Sequence, residues 1–236
     1  MLEKTSADRI AENIARIRRN IAEASAAAGT AAAVEIMAVT KTRSIDEIAV
    51  CVDNGIKLLG ENRPLEFRAQ YDYFATTGCG LHLIGHLQKN KVKYIVGKAD
   101  VIESVDSFEI LDAISEKALK LGIVQDCLIE VNVGGEENKT GLPVNDLDAI
   151  IEHAASLEGV RIRGLMTVAP NTDDAEVERV FERTRNMFVD INNKRIDNIC
   201  MNLLSMGMSG DYLLALKHGS NIVRLGREIF TNFQGR

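Results

Sequence analysis

Several things are missing from this chain of 236 residues, and each absence removes a class of function. Its four cysteines, Cys51, Cys79, Cys127 and Cys200, form no C-x-x-C pair and none sits beside a histidine at zinc spacing, so a structural metal site or a disulfide framework is not expected. Buried, reduced thiols are expected instead. No run approaches the roughly 20 apolar residues of a membrane span. The opening "MLEKTSADRIAENIARIRRN" lacks the apolar core of a secretory leader, which points to a cytoplasmic protein. Basic residues are scattered apart from Lys89, Lys91 and Lys93, and the net charge is -6, so the broad basic face that nucleic acid requires is missing. There is no G-x-G-x-x-G after the first strand candidate, and no internal repeat.

What is present is an ordinary globular composition, 46% hydrophobic and 26% charged, with enough apolar material for a large core. Ile10, Ile14, Ile17 and Ile21 recur at the spacing of one helical face, which predicts an amphipathic covering helix over residues 1–29 with Gly29 as its stop. Eight short apolar runs follow, at residues 34–40, 57–61, 81–85, 101–105, 127–133, 161–168, 198–206 and 221–226. Helical stripes lie between them: Leu147, Ile150, Ile151, Ala154 and Leu157 form one, and Val177, Val180, Phe181, Thr184, Met187, Phe188 and Ile191 another. Ser44 to Glu47 and Asp106 to Glu109 have the spacing of capping boxes. Regular βα alternation with eight strand candidates predicts an α/β fold, a single (β/α)8 TIM-type barrel spanning residues 1–236 as one domain.

In such a barrel the functional groups gather where the strands end, because the βα loops there share one mouth. Lys41 follows the first run, Glu61 and Asn62 the second, and "GHLQKNK" with His86 the third. "GGEENKTG", carrying Glu136 and Glu137, follows the fifth. Met166 lies in the sixth, "SMGMSGD" ends the seventh and "RLGRE" ends the eighth. Each has a plain structural reading: a solvated loop lysine, a satisfied histidine, core methionines, glycine turns. Their shared location points further. A lysine at the end of a buried strand can be desolvated toward a free amine able to attack a carbonyl. Ser205, Gly207, Ser209, Gly210 and Gly226 let backbone approach a ligand where barrels often hold phosphate, with Arg227 as a further donor. An amine facing a phosphate cradle suits pyridoxal 5'-phosphate (PLP), an aldehyde with a phosphate across its ring. Arg224, on the same strand face as Gly226, is placed to meet the pyridine nitrogen.

"AVTKT", "GEN" before an arginine, "HLIGHLQKNK", "VNVGGEENKTG", "GLMTVAP" and "LSMGMSGD", in this order from about residue 34 to residue 230, resemble the pyridoxal-phosphate homeostasis protein family, the proline synthetase co-transcribed homologs. The resemblance implies a PLP-binding barrel like the N-terminal domain of alanine racemase. It implies that Lys41 holds the cofactor as a Schiff base, that Asn62 is a pocket residue, and that Ser205, Gly207, Gly226 and Arg227 occupy the phosphate region. Arg224 is implied to face the pyridine nitrogen, where an always-protonated guanidinium makes a poor electron sink. With His86 and Met166 from the mouth these make up the expected cofactor set. No catalytic residue and no metal ligand is expected.

One departure concerns the phosphate contacts. Family members often carry a small hydroxyl residue and a glycine where this chain has Arg227 and Thr231. The chain ends at Arg236, so the second domain that gives alanine racemases a tyrosine base is not expected. The implied function is a monomeric PLP-binding protein of vitamin B6 homeostasis without robust catalysis. PLP, related B6 vitamers and PLP-dependent apoenzymes are its expected partners, with neither nucleic acid nor membrane among them. The alternative is a one-domain PLP-dependent amino-acid racemase, with Lys41 as one base and His86 or a water as the other.

Overall fold

The computed structural model describes residues 4–27, 33–136 and 140–232, so Gly29 and Glu137 lie outside the described residues. Helix α1 (Lys4–Ala27) buries the expected stripe of Ile10, Ile14, Ile17 and Ile21. Burial of each such side chain stabilises the packing by about 1.5–3 kcal/mol, which fastens α1 across α2 (Ile45–Asp53), α8 (Tyr212–Lys217) and α9 (Arg227–Phe230). The helix therefore lies over the region where the last strands end.

Strands β1 (Glu35–Val39), β2 (Leu58–Glu61), β3 (Gly80–Leu83), β4 (Val101–Val105), β5 (Gln125–Asn132), β7 (Val160–Met166), β8 (Ile199–Met208) and β9 (Ile222–Leu225) all pair in parallel. Pairing of β4 with β5 closes the ring, which completes the eight-stranded barrel read from the sequence. A two-residue strand, β6 (Leu142–Pro143), adds to β5 outside the ring; no periodicity announces an element that short. The remaining helices are α3 (Pro64–Thr76), α4 (Val92–Ile95), α5 (Phe108–Lys120), α6 (Leu147–Ala155) and α7 (Asp174–Lys194). In α7, Val177, Val180, Phe181, Thr184, Phe188 and Ile191 are buried as their spacing requires.

Two local expectations need adjustment. Ser44 and Glu47 form the capping box, each side chain bonded to the other's backbone amide. At the second site the cap is Ser107, whose hydroxyl accepts from the Ile110 amide, while Asp106 turns to His86 and Glu109 to Lys89. The cysteines are free thiols, but only Cys51 and Cys127 are buried. Cys79 is half-buried, and Cys200 is exposed because the opening residues of β8 still lie at the surface.

Inside the ring, apolar side chains fill the lower layers. Met37, Leu58 and Ile222 form one cluster and Val101, Leu128 and Met166 another, with Leu203 packed against both. Two residues further along their strands, and so one layer nearer the mouth, the alternation presents Glu103, Glu130, Ser205 and Arg224. The barrel becomes polar toward its C-terminal end.

Candidate functional site at the barrel mouth

The first wall of the mouth is the end of β1. Met37 pairs with Arg224 of β9, and a methyl group built on Gly226 would meet Val39 at 3.6 Å and nothing nearer. Lys41 comes two residues after Val39, in the turn that leads to α2. It is exposed, so the desolvation expected of a lysine after a buried strand is not found. Thr40 beside it is fully buried and fixed: its amide donates to Gly60 O at 2.9 Å and its hydroxyl to Glu61 Oε2 at 2.8 Å.

Glu61 is thereby explained as an organiser of the mouth. Its Oε1 accepts from the amides of Asn62 (2.7 Å) and Arg63 (3.0 Å), so one carboxylate ties the end of β1 to the loop that carries Asn62. Burial pushes its pKa up, and the hydrogen bonds from Thr40 and those two amides oppose the rise. Asn62 is half-buried and lies so close to the next loop that a side chain at Gly85 would overlap its carbonyl oxygen at 1.8 Å.

Deeper in the barrel a second polar set surrounds Arg224. Its Nη1 donates to the carbonyl and to the hydroxyl of Ser205, both at 2.8 Å, and its Nη2 donates to Thr167 O at 2.8 Å. The Ser205 hydroxyl donates in turn to Glu103 Oε2 at 2.6 Å, and His82 Nδ1 lies 2.6 Å from Glu103 Oε1. Burial alone would raise the Glu103 pKa, but His82, the Arg224 charge and the Ser205 hydroxyl together hold it below the usual carboxylate range. Burial lowers that of Arg224, against the pull of Glu103 and Glu130. The result is a guanidinium held by three hydrogen bonds to Ser205 and Thr167, with its counter-charge one hydroxyl away.

The remaining expected residues have plain positions. His86 is half exposed on the loop after β3, with Nδ1 2.9 Å from Asp106 Oδ2. Met166 is buried in the interior cluster with Val101 and Leu128. Gly207 has φ +93, and a Cβ there would meet the Ala215 side chain at 2.6 Å and the Tyr212 backbone at 2.9 Å. Close packing of α8 therefore accounts for its being glycine. Arg227 opens α9, and the Glu228 amide behind it donates to Ser209 Oγ at 3.1 Å, linking the loops after β8 and β9. Lys41, Asn62, Arg224 and Gly226 thus converge on the mouth and the layer beneath it, whereas His86 is held to one side.

Sequence reasoning passed over His82, Glu103 and Glu130. The signal was a carboxylate two residues after an inward-facing apolar one: Val101 then Glu103, Leu128 then Glu130. Reading the strand alternation through each run would have placed both in the interior.

A closed parallel barrel with these strand-end groups belongs to a recognised class: residues 13–231 match the alanine racemase N-terminal domain family. Over 221 residues the chain is 37% identical to the pyridoxal phosphate homeostasis protein of Aquifex aeolicus, covering 93% of this chain and 96% of that one. The crystal structure of an unknown protein from Bifidobacterium adolescentis superposes with a TM-score of 0.92 at 35% identity, over 98% of both chains. PipY of Synechococcus elongatus PCC7942, solved with PLP bound, superposes with a TM-score of 0.81 at 30% identity, over 94% of this chain and 99% of PipY. The chain belongs to the pyridoxal phosphate homeostasis protein family. Among its described residues no helix is long and apolar enough to cross a membrane.

Proposed function

We propose that this chain binds PLP, as PipY does, and serves vitamin B6 homeostasis as a holder of cofactor rather than as a robust catalyst. The observation that carries the reading is the convergence at one mouth of an exposed amine, Lys41, an open stretch of backbone at Gly226 and a buried arginine, Arg224. These residues fit the group. Lys41 supplies the amine for its aldehyde carbon, Gly226 leaves room for its phosphate, and Arg224 offers a fixed positive charge to its ring nitrogen. Asn62, on the loop after β2, and Arg227, which opens α9 next to Gly226, would be further contacts for the group.

When bound, PLP supplies an electron sink whose strength depends on whether the ring nitrogen holds a proton. Arg224 would donate to that nitrogen without protonating it, and both Glu103 oxygens are already engaged by Ser205 and His82, so the residues present would leave that sink weak. His86 is engaged with Asp106 on an outer loop, which leaves Lys41 as the mouth's amine base. The test is paired. Titration of the cofactor-free chain with PLP is expected to give a lysine-bound visible absorption that Lys41→Ala abolishes. Exchange of α-deuterium into a panel of amino acids is expected to run no faster than with free PLP. An unchanged absorption in Lys41→Ala would overturn the binding site; exchange far above free PLP would overturn the non-catalytic reading in favour of a racemase.

A further inference from the structure

Beside the loops that follow β8 and β9, on the flank of the barrel that α1 covers, α1 roofs a cavity of about 680 Å3. That is far more than one water occupies and within the usual range for small-molecule sites. Its inner wall is the turn from Ser209 to Tyr212 together with Glu228, and its roof carries Arg9 and Arg16. Among the described residues three buried side-chain atoms have no hydrogen-bond partner, and two of them, Arg9 Nε and Glu228 Oε2, belong to residues that line this cavity. Glu228 is 2% exposed; its Oε1 is taken by Arg16, and its Oε2 is left over. Arg9 spends Nη2 on Ser6 at 2.9 Å and leaves Nε. One orphan is an acceptor on a carboxylate and the other a donor on a guanidinium. A buried polar group without a partner is costly, so an unmatched pair of opposite sense in one cavity calls for a ligand of the opposite pattern.

The charge of the lining narrows its class. The lining carries Arg9 and Arg16 with Glu12, Asp174, Asp211 and Glu228, two cations with four carboxylates, which favours a cationic group over an anion alone. We infer that this cavity binds a small zwitterion, the free α-amino acid class, with its ammonium toward Glu228 and its carboxylate toward Arg9. Both orphan atoms are shut from solvent as the side chains stand, so binding requires the two side-chain ends to turn toward the cavity. The inference does not depend on the cofactor reading, because Lys41, Asn62, Arg224 and Gly226 are not among the residues that line this cavity.

The test is calorimetric titration of the full-length chain with glycine, L-alanine and L-glutamine, run in parallel on the wild type and on Lys41→Ala. At least one of these is expected to bind saturably and equally to both chains. Its N-acetyl and its amide derivatives, lacking the ammonium and the carboxylate in turn, are each expected to bind about tenfold more weakly or worse. Arg9→Ala and Glu228→Gln should each weaken binding to a similar degree; should Glu228→Gln fail to fold, Arg9→Ala carries the comparison. Absence of saturable binding by all three amino acids would overturn the inference, as would an affinity unmoved by the foldable variants. Binding that vanishes in Lys41→Ala would place the ligand at the mouth and overturn it as well.

Discussion

Glu103 shows how one buried charge is made tolerable. It is fully buried, and removing water from a carboxylate is expensive unless partners replace it. Here His82 and Ser205 bond its two oxygens and Arg224 supplies the opposite charge. Glu103→Gln should therefore destabilise the chain by about 3–5 kcal/mol near neutral pH, the usual effect of breaking a buried pair. Because the folded-state pKa is depressed, the charge of Glu103 contributes stability above its unfolded value, and that contribution is lost as pH falls through the folded one. Urea unfolding of both chains across the acid range should show the gap between wild type and Glu103→Gln closing as pH drops. A gap that stays constant would mean that Glu103 acts through shape and not charge. Glu61 runs the other way. Burial raises its pKa, so its contribution is present in acid and lost as pH rises through that raised value. At this scale the sequence was least legible. The strand-end residues Lys41, Asn62 and Gly226 were found by position; a carboxylate inside a strand gives no motif, and although alternation points Glu103 inward, its partners Ser205 and Arg224 are known only once the strands close.

Elements were the most legible level, because period and capping are local physics. The isoleucine stripe of α1 and the eight apolar runs reappear as structure with boundaries shifted by a residue or two, as helix and strand ends usually do. The second cap shows why the rest was not legible. "DSFE" offers two cap candidates, and the choice of Ser107 is settled when His86, from a loop twenty residues earlier, takes the Asp106 carboxylate. Two substitutions gauge the elements. Ile14→Ala removes a side chain that is 1% exposed beneath α1 and should cost about 2–5 kcal/mol in equilibrium unfolding. Ser44→Ala removes one cap hydrogen bond at an exposed helix start and should cost about 1 kcal/mol. If the first cost were as small as the second, α1 would be a loose cover and not part of the fold.

A closed barrel has no edge from which to fray, and its last strand must pair with its first before the interior is sealed. Cys51 on α2 and Cys127 on β5 report this from different parts of the ring. Burial pushes the Cys51 thiol up to about 12 and that of Cys127 higher still, so neither reacts until the structure opens. Thiol labelling in native buffer should modify Cys200 at once. Cys51 and Cys127 should then follow together at the rate of global opening. Labelling of Cys51 well before Cys127 would show that the barrel opens in pieces. The closed ring also accounts for the site, since β1 and β9, joined by the pairing of Met37 with Arg224, bring Lys41 and Gly226 to the same mouth from opposite ends of the chain. That juxtaposition is what the cofactor reading rests on, and it is open to direct chemical reading. Borohydride reduction of the PLP-loaded protein, followed by peptide mass mapping, should find one phosphopyridoxyl group per chain, on Lys41; a reduced adduct on any other lysine, or none at all, would contradict it.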